Sequence, residues 1–275
     1  MKTGWCSSPA RASPATTFAK LGFMNPLLSQ YADKLLEAGV AGTNTSHGAE
    51  NNLYKIELLL DGDAAHTFGM EELLKEASFE EAYEAVTYYT GHPPDKEETS
   101  GRGCIDPART AAGLVEAGER VRVVAEAGGS FVFATGHPGA LLFYYLGLAR
   151  WVENLGGRAL TAKTRGRYKQ RGVPLDWVGP VGALGDGASL WHTHSADPMH
   201  DLLQELGAVD LVVADHGFAG APIATSIPTV AVMDTNDPAL AVVARRGADL
   251  TVVPMDDNRP QNSYAAALEV LKGVP

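Results

Sequence analysis

The pattern of hydrophobic and polar residues divides the chain into two parts. Through residues 24–90, apolar residues recur at spacings of three and four, which is typical of amphipathic helices. After residue 104, short apolar runs alternate with helical stretches, as they do in βα units. The strand candidates are Ser130–Thr135, Arg158–Thr164, Val209–Ala214, Pro228–Met233 and Asp249–Val253.

Cap and turn residues set the boundaries of the helices between these runs. Asn25-Pro26 and Asp106-Pro107 favour helix starts, and paired glycines favour helix ends. Two extended runs flank Gly185-Asp186-Gly187, so Val178–His194 is predicted to form a β-hairpin. The predicted helices are Leu27–Ala38, Glu50–Leu60, Glu71–Tyr89, Asp106–Ala127, Ala140–Leu155, Pro198–Leu206, Gly217–Thr225, Asp237–Arg246 and Gln261–Lys272.

This alternation predicts the fold class. We expect a Rossmann-like three-layer α/β/α core with a mostly parallel sheet, a β-hairpin flap and an N-terminal helical lobe. The expected division places the lobe at residues 1–103, packed over the site, and the site-bearing core at residues 104–275. The charged, Pro- and Gly-rich segment 92–103 would be the linker or an exposed loop.

Composition narrows the function classes. The 22 basic and 33 acidic residues give a formal charge of −11, which argues against nucleic-acid and anionic-membrane binding. Much of the acid lies between Glu57 and Glu98, on predicted helix faces. No apolar run approaches the ~20 residues that span a bilayer, and the N-terminus lacks a signal-peptide core. The two cysteines, Cys6 and Cys104, form no CxxC pair. We expect a soluble cytoplasmic protein.

Polar residues follow nearly every predicted strand. In an open α/β sheet, ligands bind outside the carboxyl ends of the strands, so these residues are predicted to share a pocket. The opposite edge carries mainly glycines. A purely structural interpretation also exists, in which Asp237 before Pro238 and Asn258 before Pro260 cap helices and bind no ligand. The strand-end residues are Gly136–Gly139, His194-Ser195, Asp215-His216, Asp234–Asp237 and Asp256–Asn258.

The turn Gly136–Gly139 links a predicted buried strand to a helix. Free N–H groups at that helix start, with the helix dipole, suit a phosphate or a carboxylate. The segment is neither a P-loop nor a GxGxxG fingerprint, both of which need more glycines at fixed spacing. A tight βα turn without a ligand is the equally supported alternative.

His192 and His194 lie two positions apart on a predicted strand, so their imidazoles project to the same side. Such a pair suits a metal ion, a general acid or a phosphate donor. The run with Asp197 and His200 superficially resembles the HxHxDH motif of metallo-β-lactamase-like hydrolases, but its spacing excludes that family. A polar surface strand is the alternative.

Asp215, Asp234 and Asp257 each follow a predicted strand, and converging carboxylates could hold Mg²⁺. The alternative is that they cap three separate helices. Alternating Lys and Arg residues through 163–171 form a local positive patch, either a solvated loop or a phosphate-attracting flap.

Several motifs together resemble a group of actinobacterial phosphatases, over roughly residues 40–265. One segment departs from the family. Before the pair Asn51-Asn52 the family has a basic segment similar to TPRE, where this chain has SHGAENN, which includes His47. The motifs are ENNLYKIELLLDGDAAHTFGM, CIDPARTAAGLVEA, ATGHPGALLFYYLGLARWVENLGG, WHTHSADPMHDLL, DLVVADHGFAGA, VMDTNDPAL and VPMDDNRPQNSY.

The resemblance implies hydrolysis of a phosphate monoester, and it adds Glu50, Asn51 and Asn52 to the candidate residues. We expect a small phosphorylated metabolite as substrate. Water, His or Asp stays open as the nucleophile, and so does a homo-oligomeric state. A non-catalytic nucleotide or phosphosugar-binding module, or a phosphosugar isomerase or transferase, are the competing interpretations. The expected catalytic residues are His192, His194, Asp215 and His216. The expected ligands of Mg²⁺ are Asp215, Asp234 and Asp257. The residues expected to bind phosphate are Gly136, His137, Gly139, Ser195, Asn236, Asn258, Asn51 and Asn52.

Overall fold

The apolar runs of the second part pair into one sheet. The computed structural model describes residues 26–92, 100–163, 167–168 and 172–274, and within them the sheet has nine strands. The strands are β1 (Ser130–Ala134), β2 (Arg158–Ala159), β3 (Arg167–Tyr168), β4 (Val173–Val178), β5 (Val181–Gly185), β6 (Leu190–Trp191), β7 (Leu211–Asp215), β8 (Thr229–Met233) and β9 (Leu250–Pro254).

The sheet is mostly parallel. Its main path runs β3-β4-β5-β1-β7-β8-β9, while β2 pairs with β1 and β6 pairs with β5. Strands β1, β7, β8 and β9 are parallel, with Phe133 opposite Val213 and Val213 opposite Val230. Strands β3, β4 and β6 pair antiparallel with their neighbours. The carboxyl ends of β1, β7, β8 and β9 therefore meet at one edge.

Helices cover the sheet on both sides. None of the described helices combines the length and apolar character needed to cross a bilayer. The helices are α1 (Pro26–Glu37), α2 (Ala49–Leu60), α3 (Ala64–Thr67), α4 (Phe79–Thr90), α5 (Pro107–Glu126), α6 (Pro138–Asn154), α7 (Asp197–Leu206), α8 (His216–Ala224), α9 (Pro238–Arg245) and α10 (Tyr264–Leu271), with a 3₁₀ turn at Gln261–Ser263.

Successive side chains of β1 point to opposite faces of the sheet, and each face is covered by a layer of helices. Val132 and Ala134 join an apolar cluster with α2, α4, α7, α8 and α9. Phe131 and Phe133 join a second cluster on the opposite face, with α1, α5, α6 and α10. The predicted three-layer α/β fold with N-terminal helices is thus confirmed. Those helices contribute to both outer layers, and the division of the chain at residue 103 stays a prediction.

Three local predictions differ from the structure. The predicted helix over Glu71–Tyr89 begins only at Phe79, because the Ser78 hydroxyl caps it by accepting from the Glu81 N–H, while residues 71–76 form turns. The predicted strand over Arg158–Thr164 pairs only through Arg158–Ala159. The predicted hairpin Val178–His194 pairs through β5 and β6, with Gly185 opposite Leu190, but β6 ends at Trp191, so His192 and His194 lie after the strand and not on it.

The sequence interpretation missed the longer antiparallel pair. Strands β4 and β5 turn at Gly179-Pro180, with Val178 opposite Val181, and Gly179 has a φ of 58°. The basic patch predicted within 163–171 falls largely outside the described residues, and so does most of the 92–103 segment.

The contact of α5 with α10 makes a first prediction. A Cβ on Gly118 would be placed against the carbonyl oxygen of Leu271, whereas a Cβ on Gly139, also helical, would enter open space. We expect Gly118→Ala to lower the free energy of unfolding by about 2 kcal/mol, since overpacking outweighs the gain in helix propensity. Gly139→Ala, the control, should be neutral or stabilising. Denaturant unfolding of both variants measures this, and equal stability of the two would contradict the packing described.

Candidate active site

The junction between β7 and α8 lies at the centre of the site. Asp215 ends the strand, and His216 starts the helix with a left-handed φ of 48°. A non-glycine residue in this region is uncommon and is held there only by its surroundings. A Cβ on Gly217 would meet the backbone of His194 and Ser195, so the segment after β6 packs directly on this helix start.

The imidazole of His216 lies between carboxylates. Its Nδ1 is 3.4 Å from Asp215 Oδ2, and its Nε2 is 3.0 Å from Asp257 Oδ2 and 3.9 Å from Asp237 Oδ1. Burial opposes the charge of this ring, but the carboxylates, first Asp237 and then Asp257, raise the pKa of His216 to about 10. His216 is therefore an imidazolium at neutral pH when these carboxylates are its partners.

The carboxylates have few partners of their own. Burial raises the pKa of Asp234 to about 7 and that of Asp237 to about 6. Burial also works against the charge of Asp257, but the adjacent imidazoles of His137 and His216 hold its pKa well below the ordinary value. Both oxygens of Asp215, both oxygens of Asp257 and Oδ1 of Asp237 accept no hydrogen bond of good geometry from the described residues. Buried carboxylate oxygens without a hydrogen bond are costly, and a cation that bound here would offset this cost.

Four imidazole rings form a continuous row of ring contacts beside these carboxylates. The rings of His137 and His192 stack with centroids 4.2 Å apart, and His192 and His194 are 4.9 Å apart. His194 then lies 4.4 Å from His216 and donates its Nδ1–H to the carbonyl oxygen of Ala65 at 2.9 Å. Burial, followed by the charge of His216, lowers the pKa of His192 to about 4 and that of His194 to about 2. Both rings are neutral at neutral pH.

Three sets of ligand atoms lie close enough to hold a cation. Within each set, all atoms lie within 4.8 Å of one another. Imidazole nitrogen and carboxylate oxygen together are ligands for Mn²⁺, Fe²⁺ and Zn²⁺ as well as for Mg²⁺. Among the described residues, the sets are His216, Asp237 and Asp257; His47, Asp234 and Asp257; and His137, His192 and His216.

A cavity of about 650 Å³ opens beside the imidazole rings of His192 and His194. The chain around the end of β6 forms one wall, with Trp191, His192, His194 and Ser195. Leu184, residues within 63–71 and the start of α7, with Asp197 and His200, form the rest. The two histidines thus connect a solvent-accessible space with the buried carboxylates.

His47 belongs to the site and was not among the predicted site residues. Its Nδ1 lies 2.8 Å from Asp234 Oδ2. Burial opposes its charge, but Asp234 outweighs this and raises the pKa of His47. One feature of the sequence pointed to His47. It lies just before Asn51-Asn52, where the resembled family has a basic segment and this chain has SHGAENN.

The structure brings most of the predicted residues to one edge. His137, His192, His194, Asp215, His216, Asp234 and Asp257 converge as described above, but Asp215 belongs to none of the three ligand sets. Its carboxylate instead faces His216 Nδ1, on the side of the ring away from Asp257.

The predicted amides differ in their surroundings. Asn52 Oδ1 accepts from the Thr235 hydroxyl at 3.1 Å, which joins α2 to the loop after β8. Asn51 Oδ1 and Asn236 Oδ1 are buried without a hydrogen bond among the described residues. Asn258 is exposed, and its N–H donates to Asp256 Oδ1 at 3.0 Å. A phosphate-binding role stays a prediction for each of them.

The turn before α6 offers fewer donors than the sequence suggested. The His137 N–H donates to the Thr135 hydroxyl at 2.9 Å, and Pro138 has no N–H. Gly136 allows a close approach, since a Cβ there would meet the carbonyl oxygen of Thr193, while Gly139 is exposed. Phosphate binding by this turn therefore also stays a prediction.

Asp237 does not cap a helix with its side chain. It precedes α9, but its side chain makes no cap hydrogen bond. Instead, Oδ2 accepts from the Asp234 N–H at 3.0 Å, and Oδ1 faces His216. The interpretation of the Asp237 side chain as a helix cap is wrong, because the loop turns its carboxylate inward. The sequence feature that could have indicated this is that Asp237 is the fourth polar residue in succession after β8.

Two comparisons with known proteins agree with this site. A family model described as Phosphatase matches residues 28–271. A Streptomyces coelicolor protein that bears the name phosphatase is 32% identical over 238 residues, which cover 85% of this chain and 90% of that relative. The family match includes the loop with His47 and the carboxyl ends of β1, β7, β8 and β9.

The unpaired carboxylates predict a response to cations. A cation that binds only the folded state at about 100 times its dissociation constant adds about 2.7 kcal/mol of stability. We expect Mg²⁺ or Mn²⁺ to raise the melting temperature, and the isosteric Asp257→Asn variant to lose most of the increase. Thermal unfolding with ions and with EDTA measures this, and identical wild-type curves under both conditions would contradict it.

The raised pKa values predict the direction of a pH effect. Asp234 and Asp237, with pKa values of about 7 and 6, are partly protonated in mildly acidic solution, and the protons compete with a cation. Affinity for Mn²⁺ should therefore fall between pH 8 and pH 5, by about tenfold per pH unit for each proton displaced. Calorimetric titration across this range measures it. A pH-independent affinity would show that these two carboxylates are not ligands.

Proposed function

Because the chain belongs to the Phosphatase family, we propose that it hydrolyses a small phosphomonoester at the carboxyl edge of its sheet, assisted by a divalent cation. The observation that supports this most is the buried group of carboxylates and imidazoles, several of whose oxygens accept no hydrogen bond, beside a cavity of about 650 Å³. A cavity of this size suits a small metabolite.

Three side chains fit a cation best in this proposal. His216 Nε2, Asp237 Oδ1 and an oxygen of Asp257 supply a nitrogen and two oxygens, and both carboxylates have unsatisfied oxygens. A divalent ion there would offset the charge that spreads over the phosphoryl oxygens during transfer. Of the predicted ligands, Asp257 stays in this set, and Asp234 belongs to the neighbouring one.

Asp215 takes a positioning role in the proposal. Its carboxylate faces Nδ1 of His216, while Nε2 faces Asp257. A carboxylate behind a ligating histidine fixes the tautomer and the orientation of the ring. With Nδ1 facing Asp215 and Nε2 assigned to the cation, His216 has no lone pair left with which to attack phosphorus.

His192 and His194 would meet the substrate from the cavity. Each is neutral at rest, and each connects the cavity with the buried cluster. A bound phosphate dianion favours protonation of a nearby imidazole, so His192 is proposed to acquire a proton and give it to the leaving oxygen. Ser195 adds a hydroxyl on the same wall.

Phosphate release from a panel of metabolites tests this proposal. With Mg²⁺ or Mn²⁺ present, we expect turnover of at least one phosphomonoester, lost on chelation. Asp257→Asn and His192→Ala should each lower kcat/KM by at least about 100-fold, the scale of a lost acid–base or electrostatic contribution.

The control variant is Asp210→Asn. Asp210 precedes β7 at the opposite end from Asp215 and accepts from the Ser130 N–H and hydroxyl at 2.8 and 2.7 Å, so its loss affects stability and not the site. Turnover that survives in Asp257→Asn and His192→Ala alike would place the reaction elsewhere. Ligand-induced stabilisation across the panel with no turnover would indicate a binding module instead.

A further inference from the structure

We propose that this edge of the sheet holds two divalent cations, bridged by Asp257, with His47 and Asp234 as the other ligands of the second ion. This rests on the proposed function and extends it. The first ion is that of His216 and Asp237. Two-metal sites in phosphoryl-transfer enzymes place the ions about 3.5–4 Å apart, where they stabilise both the attacking and the leaving oxygen.

Asp257 has the geometry of a bridging ligand. It belongs to two of the three ligand sets, one on the side of His216 and one on the side of His47. It is 1% exposed, and neither of its oxygens accepts a hydrogen bond of good geometry from the described residues. Each oxygen therefore has a lone pair to offer to a different ion.

Charge favours two ions over one. Asp215, Asp234, Asp237 and Asp257 are each at most 1% exposed, so four carboxylates share one buried region. A single divalent ion at the first set would leave a formal charge of −2 on the four carboxylates, of which a protonated His47 beside Asp234 would offset one, so an anionic substrate would still face net negative charge. Two divalent ions offset all four, and the site then accepts a phosphate without net repulsion.

His47 is supplied by a loop that other contacts hold in place. The Ser46 N–H and hydroxyl donate to Asp256 Oδ2 at 2.9 and 3.1 Å, and Arg102 Nη1 donates to the Ser46 carbonyl oxygen at 2.9 Å. The Gly103 N–H donates to the carbonyl oxygen of His47 at 2.8 Å. These contacts position the imidazole of His47 without the help of Asp234, as a preorganised ligand requires.

The stoichiometry of bound Mn²⁺ tests the proposal. The full chain, freed of metal and dialysed against Mn²⁺, should bind about two ions, and its electron paramagnetic resonance spectrum should show spin-coupled Mn²⁺. His47→Ala should bind about one ion and give the six-line spectrum of an isolated Mn²⁺. Asp234→Asn, an isosteric second variant, should do the same. His92→Ala, which removes an exposed histidine of the same N-terminal part, is the matched control and should bind two.

The outcomes separate this proposal from the proposed function. One bound ion in the wild type, unchanged in His47→Ala and Asp234→Asn, would overturn the second site and leave a one-metal phosphatase standing. Two uncoupled ions would overturn the bridge. Circular dichroism of each variant confirms that a lost ion is not a lost fold.

Discussion

Four aspartate side chains are buried together at one edge of a parallel sheet, and this burial is the constraint on which the rest of the site depends. Parallel strands bring their carboxyl ends to the same edge, so Asp215, Asp234 and Asp257 converge as a consequence of topology. Removing carboxylates from water is costly, and the cost is met only by counter-charges. Imidazoles supply part of that charge, and the unsatisfied oxygens of Asp237 and Asp257 indicate where cations would supply the remainder.

Residues of the N-terminal part contribute side chains to this edge. The turn after α3 places the buried ring of Phe68, which has a left-handed φ of 55°, against His194 and His216, with centroids 5.5 and 5.6 Å apart. The loop before α2 brings His47 to Asp234. Residues distant along the chain thus supply both an aromatic ring against the imidazoles and one member of the second ligand set, and the family match over residues 28–271 includes them.

The sequence was sufficient for the fold class and for most of the convergence. Strand runs and their polar ends place His137, Asp215, Asp234 and Asp257 at one edge without any knowledge of contacts. It was insufficient where tertiary packing decides. Periodicity does not distinguish the turns at 71–76 from a helix, and the same Asp-Pro pattern that predicts a cap at Asp237 is also compatible with a carboxylate turned inward. The approach of His47 is long-range and has no local pattern.

The measurement that tests the central claim most directly is anomalous diffraction from crystals of the full chain soaked with Mn²⁺ and phosphate. The account predicts anomalous density at about 2.0–2.4 Å from Asp257 and His216, with phosphate between this density and the cavity lined by His192 and His194. Manganese and phosphate bound elsewhere, with the buried carboxylates unliganded, would contradict it.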